Sequence, residues 1–412
     1  MFLRRQVASV LAMSTLFGSG IVLAACTSAN GTSANSTSAN STSANSTSAN
    51  STSANSTSAN STTPNGTSAN GATAYVLNST SGTVTPIDTA NNTAGTPINV
   101  GSGPDAVAIT PNGKTAYVLN STSGTVTPID TANNTAGTAI SVGTEPHALA
   151  ITPNGKTAYV VNSGSNTVSA IDTATNTVIA TITVGTVPRA IAITPNGQTA
   201  YVANWGSGTA IFLAGTVTPI DTATNTAGAA ITVGPVPDAI AITPNGKTAY
   251  VVNNNSGTVT PIDTATNTAG TAISVGTEPH AIAITPNGKT AYVVNLSSNT
   301  VSVIDTATNT AGTAITVGSN PAAIAITPNG QTAYVGNNSS DTVSAIDTAT
   351  NVVTATIPVD TFPDAIAITP NGKTAYVANF GSGTVTPIDT ATNTAGTAIT
   401  VGTDPWAIAI TS

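Results

Sequence analysis

A unit of 42 residues recurs from about residue 70 onward, and this repetition limits the possible folds more than any other feature of the chain. Its markers are Tyr75, Tyr117, Tyr159, Tyr201, Tyr250, Tyr292, Tyr334 and Tyr376, which are 42 apart except for one interval of 49 between Tyr201 and Tyr250. The unit typically reads Ala-Ile-Ala-Ile-Thr-Pro-Asn-Gly-Lys-Thr-Ala-Tyr-Val-Val-Asn and then a short polar loop. Thr-Val-Thr-Pro-Ile-Asp-Thr-Ala-Thr-Asn-Thr follows, and Ala-Gly-Thr-Ala-Ile-Thr-Val-Gly completes it. Four short runs rich in β-branched residues, separated by Pro-Asn-Gly and Asp-Thr-Ala turn signals, predict one four-stranded blade per unit. In the unit after Asp105 the strands fall at Ala106–Thr110, Thr115–Asn120, about Thr125 to Asp130 and about Thr138 to Val142. The first alternates small and large apolar residues, as a tapering innermost strand covered on both faces should. Pro occupies the third strand in five of the eight units. It cannot donate to a ladder, so a bulge or a weakly paired end is expected there.

The first unit begins at its second strand, and the sequence ends with Ala-Ile-Ala-Ile-Thr-Ser, a first strand that no second strand follows. Pairing these two halves closes a ring and removes both exposed edges. The expected fold is therefore all-β, a propeller of eight four-stranded blades closed by pairing of its N-terminal and C-terminal strands. A solenoid would instead need capping repeats.

Composition narrows the partners. Only 6% of residues are charged, and the formal charge of −8 becomes −10 without Arg4 and Arg5. That balance argues against nucleic acid and anionic lipid as ligands. The lone cysteine, Cys26, excludes an intramolecular disulfide framework and any thiolate cluster.

Cys26 does have a position that carries meaning. Arg4-Arg5 precede an apolar run from Val7 to Leu23, and Leu23-Ala24-Ala25-Cys26 follows. A charged start, a short apolar stretch and small residues form an export signal. The last four residues resemble the lipobox of bacterial lipoproteins, which implies cleavage before Cys26 and its lipidation. From Thr27 to about Ala69 the chain repeats Ser-Thr-Ser-Ala-Asn, without charge, aromatic or large apolar residue. Such a segment cannot offset its ordering entropy by burial, so it reads as a disordered tether. The expected organisation is a signal over 1–25, a lipidated Cys26 with tether over 26–69, and a propeller over 70–412. The protein would be exported and held by its lipid on the outer side of a bacterial membrane.

The repeat itself resembles a family of bacterial and archaeal propellers named for a Tyr-Val-Thr-Asn signature and well represented among surface-layer proteins. Here the signature stands as Tyr75-Val76-Leu77-Asn78, Tyr159-Val160-Val161-Asn162 or Tyr201-Val202-Ala203-Asn204, with Thr never third. The resemblance covers about 70–412 and implies a propeller. Seven-bladed members are familiar, so the count of eight departs from it. Related propellers include lactonases and redox enzymes, but none of their catalytic motifs is found.

Strand order sorts the unusual residues by face. All five lysines and the eight Asp from Asp88 to Asp389 recur in register in turns at one end, which gives them a structural reading. The eight Tyr, and the Asn three residues after each, read the same way. The other end is irregular. It collects Asp105, Glu145, Asp238, Glu278, Asp341, Asp360, Asp364 and Asp404, with His147, His280 and Arg189. It also holds Trp205, Phe212, Phe362, Phe380, Trp406 and the insertion Thr209–Gly215. Varied polar and aromatic residues on loops of a rigid scaffold are where binding commonly resides.

One position, just after each crossover Pro, reads Asp105, His147, Arg189, Asp238, His280, Ala322, Asp364, Trp406 around the ring. It precedes the innermost strand and is expected at the mouth of the central channel. These residues, together with Trp205 and Phe380, are the candidate binding site. The favoured function is a surface-tethered, monomeric interaction module for an envelope or extracellular protein, a glycan or a peptide, without cofactor. Two alternatives stand beside it. One is an extracytoplasmic hydrolase or lactonase-like enzyme using the paired Thr-Glu-Pro-His crossovers, Glu145/His147 and Glu278/His280. The other is a surface-layer or spacer protein without small ligand. The two crossovers are three blades apart, and no Gly-x-Ser-x-Gly elbow, phosphate loop or His-Glu-x-x-His motif is present, which weighs against the enzyme.

Overall fold

The computed structural model describes residues 71–206 and 215–411. The signal, Cys26, the tether, Phe212 and insertion residues 209–214 lie outside them. Every regular element described is a strand, apart from two three-residue 3-10 turns at Asn254–Ser256 and Asn338–Ser340.

The strands form eight separate antiparallel sheets. One runs Pro104–Ile109, Thr115–Asn120, Thr125–Asp130, then a broken outer edge of Thr135–Ala136 and Ile140–Ser141. Another is built from both ends of the chain: Pro405–Ile410 pairs as the inner strand with Thr73–Asn78, as closure requires. Inner strands of successive sheets pack side by side, and Pro405–Ile410 lies between Pro363–Ile368 and Pro104–Ile109, completing the circle. The molecule is an eight-bladed β-propeller.

The core lies between blades. Ala106, Ala108, Tyr117, Leu119 and Val126 on one face meet Leu149, Ile151, Ala158 and Val160 on the next blade. The alternation of Ala with Leu or Ile along the inner strand thus gives each blade one flat and one protruding face. Small opposite large lets neighbouring sheets interdigitate.

Each marker Tyr is fully buried and ties its blade to the next. Tyr201 donates to Asn267 Oδ1 at 2.6 Å and to the Thr264 carbonyl at 3.2 Å, both in the outer turn of the following blade. Tyr376 makes the same contact with Asn92, across the closure. Burial, reinforced by the neighbouring Asp172, pushes the Tyr117 phenol up to about 12, so it stays a donor. Tyr201→Phe removes one such tie and is expected to cost about 1 kcal/mol, seen as a lower urea midpoint with an unchanged slope.

The turns follow their residues. Asn112 Oδ1 accepts from Thr110 Oγ1 and the Lys114 amide, and Gly113 sits at φ +69°. Asp172 Oδ1 accepts from the amides of Ala174 and Thr175, which hold its carboxyl below the usual range, the Thr175 amide most. The Asn after each Tyr-Val pair is equally structural. Asn120 Oδ1 takes the Gly101 amide of the crossover, and its amide reaches Thr127 Oγ1 at 3.0 Å. A Cβ on Gly101 would stand 2.6 Å from Asn120 Cγ, which is why glycine recurs there.

The outer strand corrects the sequence reading. It is not one strand from about Thr138 to Val142 but two short pieces of two or three residues in six blades. Pro128 keeps full register with Thr115–Asn120 on its inner side, and its carbonyl takes the Gly137 amide on the outer side. The weak pairing therefore falls on the outer neighbour, not on the Pro strand. Ala-Gly is the cause as much as Pro. The blade with Val303 in place of Pro is still broken, with the Gly312 amide on the Val303 carbonyl. Only Thr177–Thr183 and Val352–Pro358, which lack that Ala-Gly, run unbroken, each with one bulge.

Candidate functional site

The variable position sits inside the inner strand rather than before it. Pro104 pairs with Asn120 and Ala106 with Leu119, leaving Asp105 as the extra residue of a β-bulge. The same shift occurs at His147, Arg189, Asp238, His280, Ala322, Asp364 and Trp406. A bulge re-aims one side chain out of the strand's alternation.

The residue before each crossover Pro is left-handed in every blade: Gly103, Glu145, Val187, Val236, Glu278, Asn320, Phe362 and Asp404, with φ from +48° to +64°. For Val187 and Val236 this is strained backbone. It is held in place from the neighbouring loop, as where the Phe380 amide donates to the Phe362 carbonyl at 2.8 Å.

The bulged side chains meet one another. Asp105 Oδ2 lies 2.8 Å from His147 Nδ1, and Arg189 donates to His147 Nε2 at 3.2 Å. Since guanidinium only donates, His147 accepts at Nε2 and donates from Nδ1 to Asp105. The Arg189 guanidinium also lies 3.7 Å over the Trp205 ring. Burial lowers the Arg189 pKa, while Asp238, Asp105 and Glu145 favour its charge. On the next arc His280 Nδ1 meets Asp238 Oδ2 at 2.6 Å. Burial would discharge both groups. Their mutual attraction wins, raising the imidazole and lowering the carboxyl. His147, Asp238 and Asp364 are buried, while Asp105, Arg189, His280 and Trp406 are partly exposed.

Asp364 is different. Its one direct polar partner among the described residues is the Asn338 amide, at 3.1 Å. Burial pushes its carboxyl up to about 6, with His280 and the Asn338 bond opposing. Asn338 is 2% exposed, and its Oδ1 has no partner. Phe380 and Trp406 pack edge to face with centroids 5.6 Å apart, and Trp406 Nε1 is also buried without a partner.

These contacts expose a second variable register that the sequence reading missed. The residue after each structural Asn reads Ser79, Ser121, Ser163, Trp205, Asn254, Leu296, Asn338, Phe380. Trp205 and Phe380 were singled out as aromatics, but Asn338 and Asn254 belong to the same set. From this register Asn338 reaches Asp364, Phe380 reaches Trp406, and Asn254 donates to the Pro279 carbonyl, each on the next blade.

The rim acids mostly brace loops. Asp341 accepts the Phe362 amide, Asp360 takes Thr384 Oγ1, Asp404 takes Thr80 Oγ1, and Glu278 pairs with Ser297. Glu278 and His280 thus turn to different partners, and among the described residues no group of three His, Cys, Asp or Glu is placed to hold a metal. A cleft of about 580 Å³ at the opposite end is walled by repeated turn residues such as Asn154, Gln198 and Asp221.

Eight blades in a closed ring define a β-propeller whose one irregular end carries its individuality. The chain belongs to the lactonase, seven-bladed β-propeller family, whose family model matches residues 74–218 and 271–400, more than half of the chain. This ring has one blade more than that description. A choice-of-anchor I domain matches residues 172–320. No curated protein matches the chain. Among solved structures it is similar to Kuenenia stuttgartiensis hydrazine synthase, at 25% identity over 70% of this chain and 96% of that one, with a TM-score of 0.58. It also resembles the dihydro-heme d1 dehydrogenase NirN in complex with DHE, at 15% identity over 82% and 74%, TM-score 0.69. Apo AztD from Citrobacter koseri matches at 14% identity over 83% and 98%, TM-score 0.65. The last two speak for the fold alone.

Proposed function

We propose that this protein is an exported, lipid-anchored binding module, in which Cys26 carries the anchor, residues 26–69 the tether, and the irregular propeller end the contact surface for an envelope or extracellular protein, glycan or peptide. The surface-layer-like Tyr-Val-Thr-Asn repeat and the lipobox at Cys26 support the location. One observation carries the binding role. Both variable registers meet at one end, where Asn338 Oδ1 and Trp406 Nε1 are buried without a partner and Asp364 accepts from the Asn338 amide. Buried polar groups are normally satisfied, and these two belong to the variable registers rather than to the repeated structural set, which supports a binding role. Full-length protein should bind cell-envelope fractions, and a Trp205→Ala, Phe380→Ala, Trp406→Ala variant of matched thermal stability should lose at least tenfold in affinity. Equal binding by both proteins would remove this end as the contact surface.

Family membership and the Asp364 carboxyl at about 6 favour a second reading, an extracytoplasmic hydrolase. Turnover of a lactone panel that disappears in Asp364→Asn, without envelope binding by either protein, would install it in place of the first.

A further inference from the structure

Three carboxylates stand in the inner ring, and two of them have a basic side chain one blade further on. Asp105 has His147 at 2.8 Å, and Asp238 has His280 at 2.6 Å. One blade beyond Asp364 stands Trp406, and one blade before it Ala322, which offers only a methyl group. Asp364 therefore touches no basic group among the described residues. His280 acts on it only through space, and the His280 charge is matched by Asp238 in direct contact.

The same ring shows what complements such a set. Arg189 lies on the face of Trp205, its charge favoured by Asp105, Asp238 and Glu145. There the chain supplies a cation to an aromatic ring and surrounding carboxylates. Around Asp364 it supplies the carboxylate, the aromatic pair Phe380–Trp406 and a second acceptor, Asn338 Oδ1. Ala322 adds no polar group beside them.

We infer that the arc Ala322–Asp364–Trp406 is a site for a primary ammonium group of the ligand, held by the Asp364 carboxylate and Asn338 Oδ1 and covered by Trp406. An ammonium has three donors, enough for both oxygens, and it is favoured over an aromatic face. A neutral hydroxyl would leave the carboxylate uncompensated in a buried setting. This inference deepens the binding role proposed above and rests on it. A small amine and a polypeptide lysine both carry such an ammonium, and the probes separate these sources.

The chain has two tryptophans, so 5-fluorotryptophan labelling of the full-length protein gives two fluorine signals, assigned with Trp205→Phe. n-Butylammonium and a short lysine peptide are titrated in, with n-pentanol and glucose as neutral controls. The expected result is a saturable shift of the Trp406 signal with an amine and none with the neutral probes. Asp364→Asn should weaken the amine at least tenfold, as loss of a charge-assisted bond does. Ala322→Arg, which brings a cation in cis, should abolish the shift. Binding of both amines assigns a small-amine site, and binding of the peptide alone assigns a lysine side chain. Equal response to n-pentanol, undiminished amine binding by Asp364→Asn, or no shift at about 100 mM amine each overturns the inference. Should Ala322→Arg not fold, the Asp364→Asn arm decides. Envelope binding that still depends on Trp205, Phe380 and Trp406, without any amine response, overturns this inference and leaves the broader reading standing.

Discussion

Deleting Pro405–Ile410 is expected to destroy cooperative folding, although it removes only six residues at one end of the chain. Both faces of that strand are core. Ile408 and Ile410 pack with Ala365, Tyr376 and Val76, while Ala407 and Ala409 pack with Tyr75, Leu77 and Val107. All four are at most 2% exposed. Each buried isoleucine contributes about 1.5–3 kcal/mol, so two of them, the alanines and the surface uncovered on both neighbours approach the 5–15 kcal/mol that holds a typical domain together. The loss also bares Thr73–Asn78 as a buried-type edge with no partner, an open template for association. The shortened chain should elute as aggregate and unfold without a sigmoidal urea transition. A synthetic peptide of residues 404–411, added during refolding, should restore the transition by strand addition. The control is Thr394–Ala395, an exposed piece of broken outer strand, whose replacement by Ser-Ser should leave the midpoint nearly unchanged. A monomeric deletion product with the parental midpoint would show that closure contributes little.

Closure was legible because it needs only strand order, and strand order follows from turn residues that repeat every 42 positions. The same holds for the Asx-type turns at Asp172 and its equivalents, whose chemistry is local to three residues. What escaped the sequence depends on contacts between blades. Asn338 and Asp364 are 26 residues apart, and nothing in either segment announces that the first reaches across to the second. Aligning the units on their structural Asn would have isolated the register of Trp205, Asn254, Asn338 and Phe380, since it varies directly after an invariant residue. The left-handed residue before each Pro was hidden for another reason. Glycine stands there only once, at Gly103, while Val187 and Val236 carry no sequence mark of positive φ. Tertiary hydrogen bonds from the following loop override local preference at those points. The ring position was found in the sequence, but its bulge was not, because a bulge is a property of two paired strands. Pairing also decides where the blade is interrupted: the ladder of the Pro128 strand to Thr115–Asn120 is intact, and the outer strand with its Ala-Gly breaks instead.

At neutral pH, Asp364→Asn is expected to stabilise the protein by up to about 3 kcal/mol, the reverse of the usual outcome for changing a buried polar residue. Burial raises the Asp364 carboxyl from 3.8 to about 6 in the folded protein. Between those values the folded state holds a proton that the unfolded chain has released, so stability falls as pH rises through this window. Below about pH 4 both states are protonated and the penalty vanishes. Above about pH 7 it is fully present, about two pKa units at 1.36 kcal/mol each. The asparagine variant has no such window, so the two stability curves should meet near pH 4 and separate steadily up to pH 7. The Asp238–His280 pair behaves otherwise. The lowered Asp238 contributes stability above its unfolded value that is lost as pH falls through its folded pKa. The raised His280 contributes stability below about 6.5, lost as pH rises through its folded pKa. Both proteins carry that pair, and the difference between them includes only the part of the His280 shift that Asp364 supplies. Urea unfolding at half-unit steps from pH 4 to pH 8 measures the curve directly. A variant less stable than its parent at pH 7 would mean that Asp364 already has a counter-charge in the folded chain, and the amine site would fall with the prediction. If the prediction holds, n-butylammonium at saturating concentration should raise the parent at pH 7 and leave Asp364→Asn where it stands, because a ligand stabilises only the state that binds it.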